Sequence, residues 1–149
     1  MRPLATRTEQ VRPEWIDYNG HLSEAYYVLL FGFATDDLMD AVGLDADYRT
    51  ASQASLFTVE AHVRYLDQVG ADDEVEVRSW VIGAGGKSLR LWHELSTGGT
   101  LRATEEVLAV HVDTVAGRAT PLPDPVLERA RRAVADLPQG AGRAIGPVR

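Results

Sequence analysis

Asp17, Asn19 and His21 fall within five residues of the stretch WIDYNGHLSEAYY, with Gly20 among them and an apolar, helix-forming run directly behind. The first turn of such a helix, around Ser23 to Tyr26, presents backbone N–H groups that have no intrahelical acceptor and therefore attract negative charge. A carboxylate on the approaching loop and an N–H cluster beyond it are two halves of an acyl-transfer site. One attacks a carbonyl or activates water, and the other stabilises the oxyanion. The same Asp-Tyr-Asn-Gly run also suits a tight turn, because Asp and Asn fold back on their own backbone and Gly20 tolerates positive φ. Spacing alone favours the turn and leaves both readings open. Glu24 adds a second carboxylate at the helix start, where the dipole favours an acid by about 0.3–1 kcal/mol whether or not it does chemistry.

Several elements must position these groups. Residues 6–12 alternate weakly as a first strand, ended by Pro13. From Leu22 to about Val42 apolar residues recur at helical spacing, with Ser23 as N-cap and Gly43 at the C′ position. Tyr27, Val28 and Phe31 interleave with the main stripe, so this helix is expected to be enclosed on most sides. Residues 43–54 read as a polar loop. Four strands follow, Ser55–Leu66, Glu74–Ile82, Ser88–Leu95 and Leu101–Val112, parted by GADD, GAGGK and STGGT, all taken as hairpin-type connections. Strict alternation in SLFTVEAHVRYL puts Leu56, Thr58, Glu60, His62 and Arg64 on one face and Phe57, Val59, Ala61, Val63 and Tyr65 on the other. A last helix runs from Asp124 as N-cap, with Pro125 at N1, to about Asp136. The expected domain is residues 1–137, followed by a mobile tail over 138–149. The expected architecture is α+β: an antiparallel sheet of about five strands wrapped around a long central helix, with a short C-terminal helix. Such a sheet leaves an edge strand and an outer face in need of cover, which predicts a homodimer, with a homotetramer as its extension.

Composition narrows the chemistry. The 149 residues suit one domain, and 45% hydrophobic with 25% charged residues is ordinary for a globular protein. With no cysteine there is no disulfide framework, thiol nucleophile or Cys-ligated metal. The four histidines have no metal-ligand spacing, so no metal is expected. No apolar run is long enough to span a membrane and no secretory signal is evident, so a cytoplasmic location is expected. The net charge is −7, with residues 129–149 carrying five Arg against one Asp and the acidic remainder repelling nucleic acid. GAGGK lies between two strands and lacks Walker spacing, so it reads as a turn.

Asp17-Tyr18-Asn19-Gly20-His21-Leu22, followed by Tyr26 and Tyr27, resembles the signature loop of hotdog-fold acyl-CoA thioesterases of the 4-hydroxybenzoyl-CoA thioesterase type. The strand FTVEAHVRYL and the order of elements over residues 6–113 also resemble that family. Within it, VRPEWIDYNGHLSEAYYVLLF with SLFTVEAHVRYL is similar to the thioesterases found beside or fused to carnitine dehydrogenase, which act on betainyl-CoA. The resemblance implies a hotdog fold and a hydrolase with no cofactor beyond the coenzyme A of its acyl-CoA substrate. It implies Asp17 as nucleophile or general base, the backbone N–H near Glu24 as oxyanion donor, and Asn19 and His21 as groups that orient Asp17 or water. Ser23-Glu24 departs from the two asparagines many relatives carry there, which brings Glu24 forward as a second catalytic candidate. Trp15, Tyr18 and Tyr27 would hold a quaternary ammonium through their ring faces, and Thr58 and Glu60 would line the acyl pocket from across a dimer. Arg64, Lys87, Arg90, Arg102 or the basic tail would meet the CoA phosphates. The competing readings are a hotdog dehydratase or hydratase and a non-catalytic acyl-CoA-binding module.

Overall fold

A computed structural model describes residues 1–149. The helical run becomes α1, Glu24–Val42, one residue beyond the Ser23 N-cap, whose side chain makes no capping bond. Gly43 ends it at φ 96, and the Gly43 and Leu44 N–H groups return to the C=O of Asp40 and Met39. An L side chain rarely tolerates that φ, hence the glycine. Strands β1 (Ala5–Gln10), β2 (Ala54–Tyr65), β3 (Glu74–Ala84), β4 (Ser88–Thr97) and β5 (Thr100–Asp113) pair antiparallel in the order β1-β3-β4-β5-β2. A two-residue β6, Arg118–Ala119, pairs back on β5. The α+β architecture expected from the sequence is present, with the sheet packed around α1.

Two apolar clusters hold the inner face of the sheet to α1. Tyr27, Leu30, Phe31 and Ala34 pack on Val75, Val77, Leu95 and Ala103, while Leu38, Met39 and Val42 pack on Val81, Leu91 and Val107. The period-2 reading of β3 and β4 holds, since Val75, Val77, Ser79 and Val81 and also Leu89, Leu91 and His93 are all buried inward.

Five expectations need correction. Residues 43–54 are not all loop: Ala46–Ser52 forms a short helix, α2, started by Asp45, whose side chain accepts the Tyr48 N–H. GADD does not close a hairpin, because residues 66–73 carry the chain from β2 at one edge of the sheet to β3, with β4 and β5 between them. Alternation in β2 breaks at Val59, an extra residue between the pairs Thr58↔Ala109 and Glu60↔Leu108. Beyond this bulge the parity reverses, so that Leu56 packs inward before it and Val63 after it, leaving Phe57 and Val59 exposed. The last helix, α3, is shorter than expected at Asp124–Ala133, with Pro123 rather than Asp124 at the cap. Finally, α1 is not enclosed on most sides: Val28 and Leu29 are exposed, because one curled sheet covers only one side of a helix.

The segment expected as a mobile tail lies along the outer face of the sheet. Gly142 N–H donates to Glu106 Oε2 at 2.7 Å, Gly86 N–H donates to Arg149 C=O, and Ile145 is buried. It covers Trp80, Ile82 and Trp92, the outer-face apolar residues of β3 and β4.

Candidate active site

The loop before α1 is held from both sides. Ser23 N–H donates to Trp15 C=O, Leu22 N–H to Val69 C=O, and single bridges tie Ile16 to Leu22 and His21 to Gly70. Residues 16–22 thus form a small hairpin pinned to the β2–β3 crossover. At its tip Gly20 N–H donates to Asp17 C=O at 3.0 Å, Asp17 N–H donates to His21 C=O at 2.9 Å, and Gly20 has φ 78. Nothing lies within 4 Å of a Cβ built on Gly20, so backbone conformation, not space, calls for glycine there. The Asp17 carboxylate accepts the Asn19 N–H at 2.8 Å through Oδ1. One oxygen is thereby fixed and the other is left for chemistry.

Behind the loop, Tyr26 N–H bonds to Ser23 C=O, while the Glu24 and Ala25 N–H groups find no acceptor in the chain. Asp17 and this helix start open on one cleft of about 1090 Å³, whose walls also include Tyr18, Asn19, His21, Glu24 and Tyr27. Six of the nine residues singled out in the sequence therefore meet at one place. Asn19 and His21 hold Asp17 through their backbones rather than through their side chains. The His21 Nδ1 is buried without a hydrogen-bond partner. Tyr18 projects freely, at 98% exposure.

The other three lie elsewhere. Trp15 is 4% exposed and stacks on Tyr26 at 5.7 Å within the core, so it supports the loop from below and does not reach the cleft. Thr58 lines a separate groove between α1 and β2. Glu60 is exposed on β2, just past the bulge, and lines neither space within one chain. Among the proposed phosphate partners, Arg90 is committed: its guanidinium is buried against Glu106 Oε1 at 2.7 Å.

Sequence reasoning missed the opposite wall of the cleft. Tyr65, at the end of β2, donates its OH to Glu24 C=O at 3.3 Å and packs edge-on against Tyr27 at 5.1 Å. Tyr27 OH in turn donates to Asp67 C=O at 3.3 Å. Burial raises the pKa of both tyrosines, so they remain neutral donors. The Asp67 carboxyl is held below its usual range by the Gln68 N–H and by Arg102, with which it pairs directly. Tyr65 to Gln68 lie about 50 positions from Asp17 and form no motif, so only the crossover of the chain brings them to the site.

A second buried polar group was also missed. His93, on β4, bonds Ser79 Oγ at 2.7 Å and Thr35 Oγ1 at 3.0 Å through its two ring nitrogens, and burial pushes its pKa down to about 3. Opposite it on β5 stands Glu105, 5% exposed, whose pKa burial pushes up to about 7. The available signal was the pair Glu105-Glu106 directly ahead of the apolar run at residues 107–110.

A carboxylate with one free oxygen, set beside unpaired helix N–H groups in a tyrosine-walled cleft, is an arrangement for acyl transfer. Comparison with known proteins agrees, because the model of a family described as the thioesterase-like superfamily matches residues 11–130. The chain belongs to the thioesterase-like superfamily. As a member of that superfamily it is a thioester hydrolase, and the fold is the hotdog expected from the sequence. It is 43% identical to the betainyl-CoA thioesterase of Pseudomonas aeruginosa, over 98% of each chain. It is 41% identical to an L-carnitine dehydrogenase/betainyl-CoA thioesterase of Agrobacterium fabrum, covering 99% of this chain but 31% of that longer protein. Among solved structures, a candidate thioesterase of Pseudomonas putida KT2440 superposes with TM-score 0.82 at 38% identity, over 98% of this chain and 97% of the other. A hypothetical protein of Staphylococcus aureus in complex with CoA superposes with TM-score 0.86 at 26% identity, over 95% and 93%.

Proposed function

We propose that this thioesterase hydrolyses betainyl-CoA to the trimethylammonio-acetate and free CoA, with Asp17 as the catalytic carboxylate. The observation that carries the reading is the opening of Asp17 and the unpaired Glu24 and Ala25 N–H groups on one cleft. The thioester carbonyl oxygen accepts from those N–H groups, which are strongest for the negative charge that builds as the carbon becomes tetrahedral. Asp17 either takes a proton from water as water attacks, or attacks first and forms an anhydride that water opens. In both routes a C–O bond replaces the C–S bond and the thiolate leaves as CoA. Glu24 is the second carboxylate on the same wall, and assists as a proton carrier. No metal or further cofactor enters this scheme.

The functional unit in this reading is a homodimer. β2 is the sheet's edge and exposes Phe57 and Val59, while α1 beside it exposes Val28 and Leu29. A long edge strand with exposed apolar side chains next to an uncovered helix face is an association surface, and a second copy covers both. Glu60, which lines neither the cleft nor the groove of its own chain, would then reach the partner's site, while Thr58 lines the α1–β2 groove of its own chain.

The substrate assignment rests on resemblance to proteins with that activity and is tested by CoA release from betainyl-, acetyl- and benzoyl-CoA. Highest kcat/KM for betainyl-CoA is expected. Equal rates across the three would remove the cationic acyl group from the account and leave the thioesterase standing.

A further inference from the structure

A groove of about 660 Å³, separate from the cleft, lies between α1 and β2. The two spaces are neighbours along α1, since Glu24 lines the cleft and Ala25, the next residue, lines the groove. The groove is lined mainly by apolar side chains, among them Leu29, Phe33 and Leu56, but it also contains two carboxylates, Glu105 and Asp36, and no Lys, Arg or His. Glu105 is 5% exposed, forms no ion pair and accepts no hydrogen bond from any side chain, and burial alone sets its protonation. The neighbouring buried carboxylate, Glu106, shows the contrast: it faces the other way and is fully engaged by Arg90 and the Gly142 N–H. Desolvation favours the neutral form of a carboxyl that has no cationic partner in its own chain, and a cation seated in the groove that Glu105 lines would restore the ionised form, so the groove is built to take a positive charge from outside the chain.

We infer that Glu105 is the specificity residue that recognises a quaternary-ammonium acyl group seated in the α1–β2 groove. The inference rests on the thioesterase reading for its substrate but not for its ligand chemistry. A trimethylammonium has no N–H to donate, spreads its charge over methyl groups and is weakly hydrated. It therefore suits a site with apolar walls and one anion, where a primary ammonium would leave its donors unmet. Placement along the strand fits as well. Ala103 is paired with Tyr65, and Glu105 lies two residues further along β5, about 7 Å away at strand spacing. In a betainyl group the quaternary nitrogen is two bonds from the carbonyl carbon. Ala25, whose N–H is one of the two offered to the carbonyl, and Glu105 line the same groove, so a carbonyl held there has its trimethylammonium head in the space that Glu105 lines. Thr35, which lines the same groove, is held by His93, so the polar floor behind the head is fixed in place. Asp36 adds a second negative charge farther along the helix.

The test compares betainyl-CoA with 3,3-dimethylbutyryl-CoA, its neutral carbon isostere, in wild type and in Glu105→Gln. Wild type should favour the cationic substrate by roughly tenfold or more in kcat/KM, and the variant should lose most of that ratio. An unchanged ratio in Glu105→Gln overturns the inference. If the Gln variant does not fold by circular dichroism, Glu105→Asp, which withdraws the carboxylate by one methylene, should lower the ratio, and an unaltered ratio there overturns it equally. A second readout does not need turnover: tetramethylammonium should raise the melting temperature of wild type and not of Glu105→Gln. Equal shifts in both proteins contradict the inference even if hydrolysis is confirmed. A wild type that binds tetramethylammonium through Glu105 but releases no CoA contradicts the proposed function and leaves the cation site intact.

Discussion

At the scale of single residues, the chain places two carboxylates in opposite environments. Asp17 sits on an open loop with one oxygen tied to the Asn19 N–H, whereas Glu105 is buried with its pKa raised from 4.5 to about 7. A raised folded-state pKa means that Glu105 favours the folded state fully below pH 4.5, and that this contribution is lost as pH rises through about 7. His93 acts in the other direction: its pKa is lowered from 6.5 to about 3, so its contribution is full above pH 6.5 and is lost as pH falls through about 3. Between pH 4.5 and 6.5 the two nearly cancel. Glu105→Gln removes one of them, so urea denaturation should show the variant gaining on wild type by on the order of 3 kcal/mol between pH 4.5 and 7. A difference between the two proteins that is independent of pH would mean that Glu105 is not desolvated as described. Asp36, raised by burial, is common to both proteins and drops out of the comparison.

At the scale of elements, α1 has two faces with different partners. Leu30 is fully buried against the sheet of its own chain. Leu30→Ala should therefore cost about 2–5 kcal/mol in chemical denaturation whatever the protein concentration, while an exposed position such as Leu29 should cost far less per chain. A cost for Leu30→Ala below about 1 kcal/mol would contradict this division of the helix. The same helix was the most legible element in the sequence, since its apolar spacing and Gly43 fixed both ends to within two residues. β3 and β4 were legible for the same reason. β2 was legible only up to Val59, because no residue type announces a bulge, and one extra residue reverses the parity on which the face assignment depended. α2 was missed because ADYRTAS buries no residue and so carries no apolar stripe, only the cap at Asp45.

At the scale of the whole molecule, the site exists because distant stretches are folded together. The loop around Asp17 was legible from local chemistry and resemblance. Its far wall, Tyr65 to Gln68, was not, because it depends on the crossover that carries the chain from β2 at one edge to β3 beyond β4 and β5. GADD looked like a hairpin turn for want of any local sign that β2 and β3 are not neighbours. Trp15 was misplaced for a related reason: an aromatic beside a candidate site loop can face the cleft or support the loop, and only packing against Tyr26 decides. The uncovered β2 edge and α1 face lead to an assembly prediction. Sedimentation should show a dimer at micromolar concentration, and Val59→Lys, which sets a charge on that surface, should shift it toward monomer. A wild-type monomer would remove Glu60 from any part in the site.

The most direct test of the central claim is CoA release from betainyl-CoA by wild type and by Asp17→Asn. The substitution keeps the size and the turn-forming capacity of the side chain but removes both nucleophile and base. The expected result is a folded variant with kcat lowered by about 10²–10⁴-fold. A variant that turns over at the wild-type rate would contradict the assignment of Asp17 and, with it, the mechanism built on the loop.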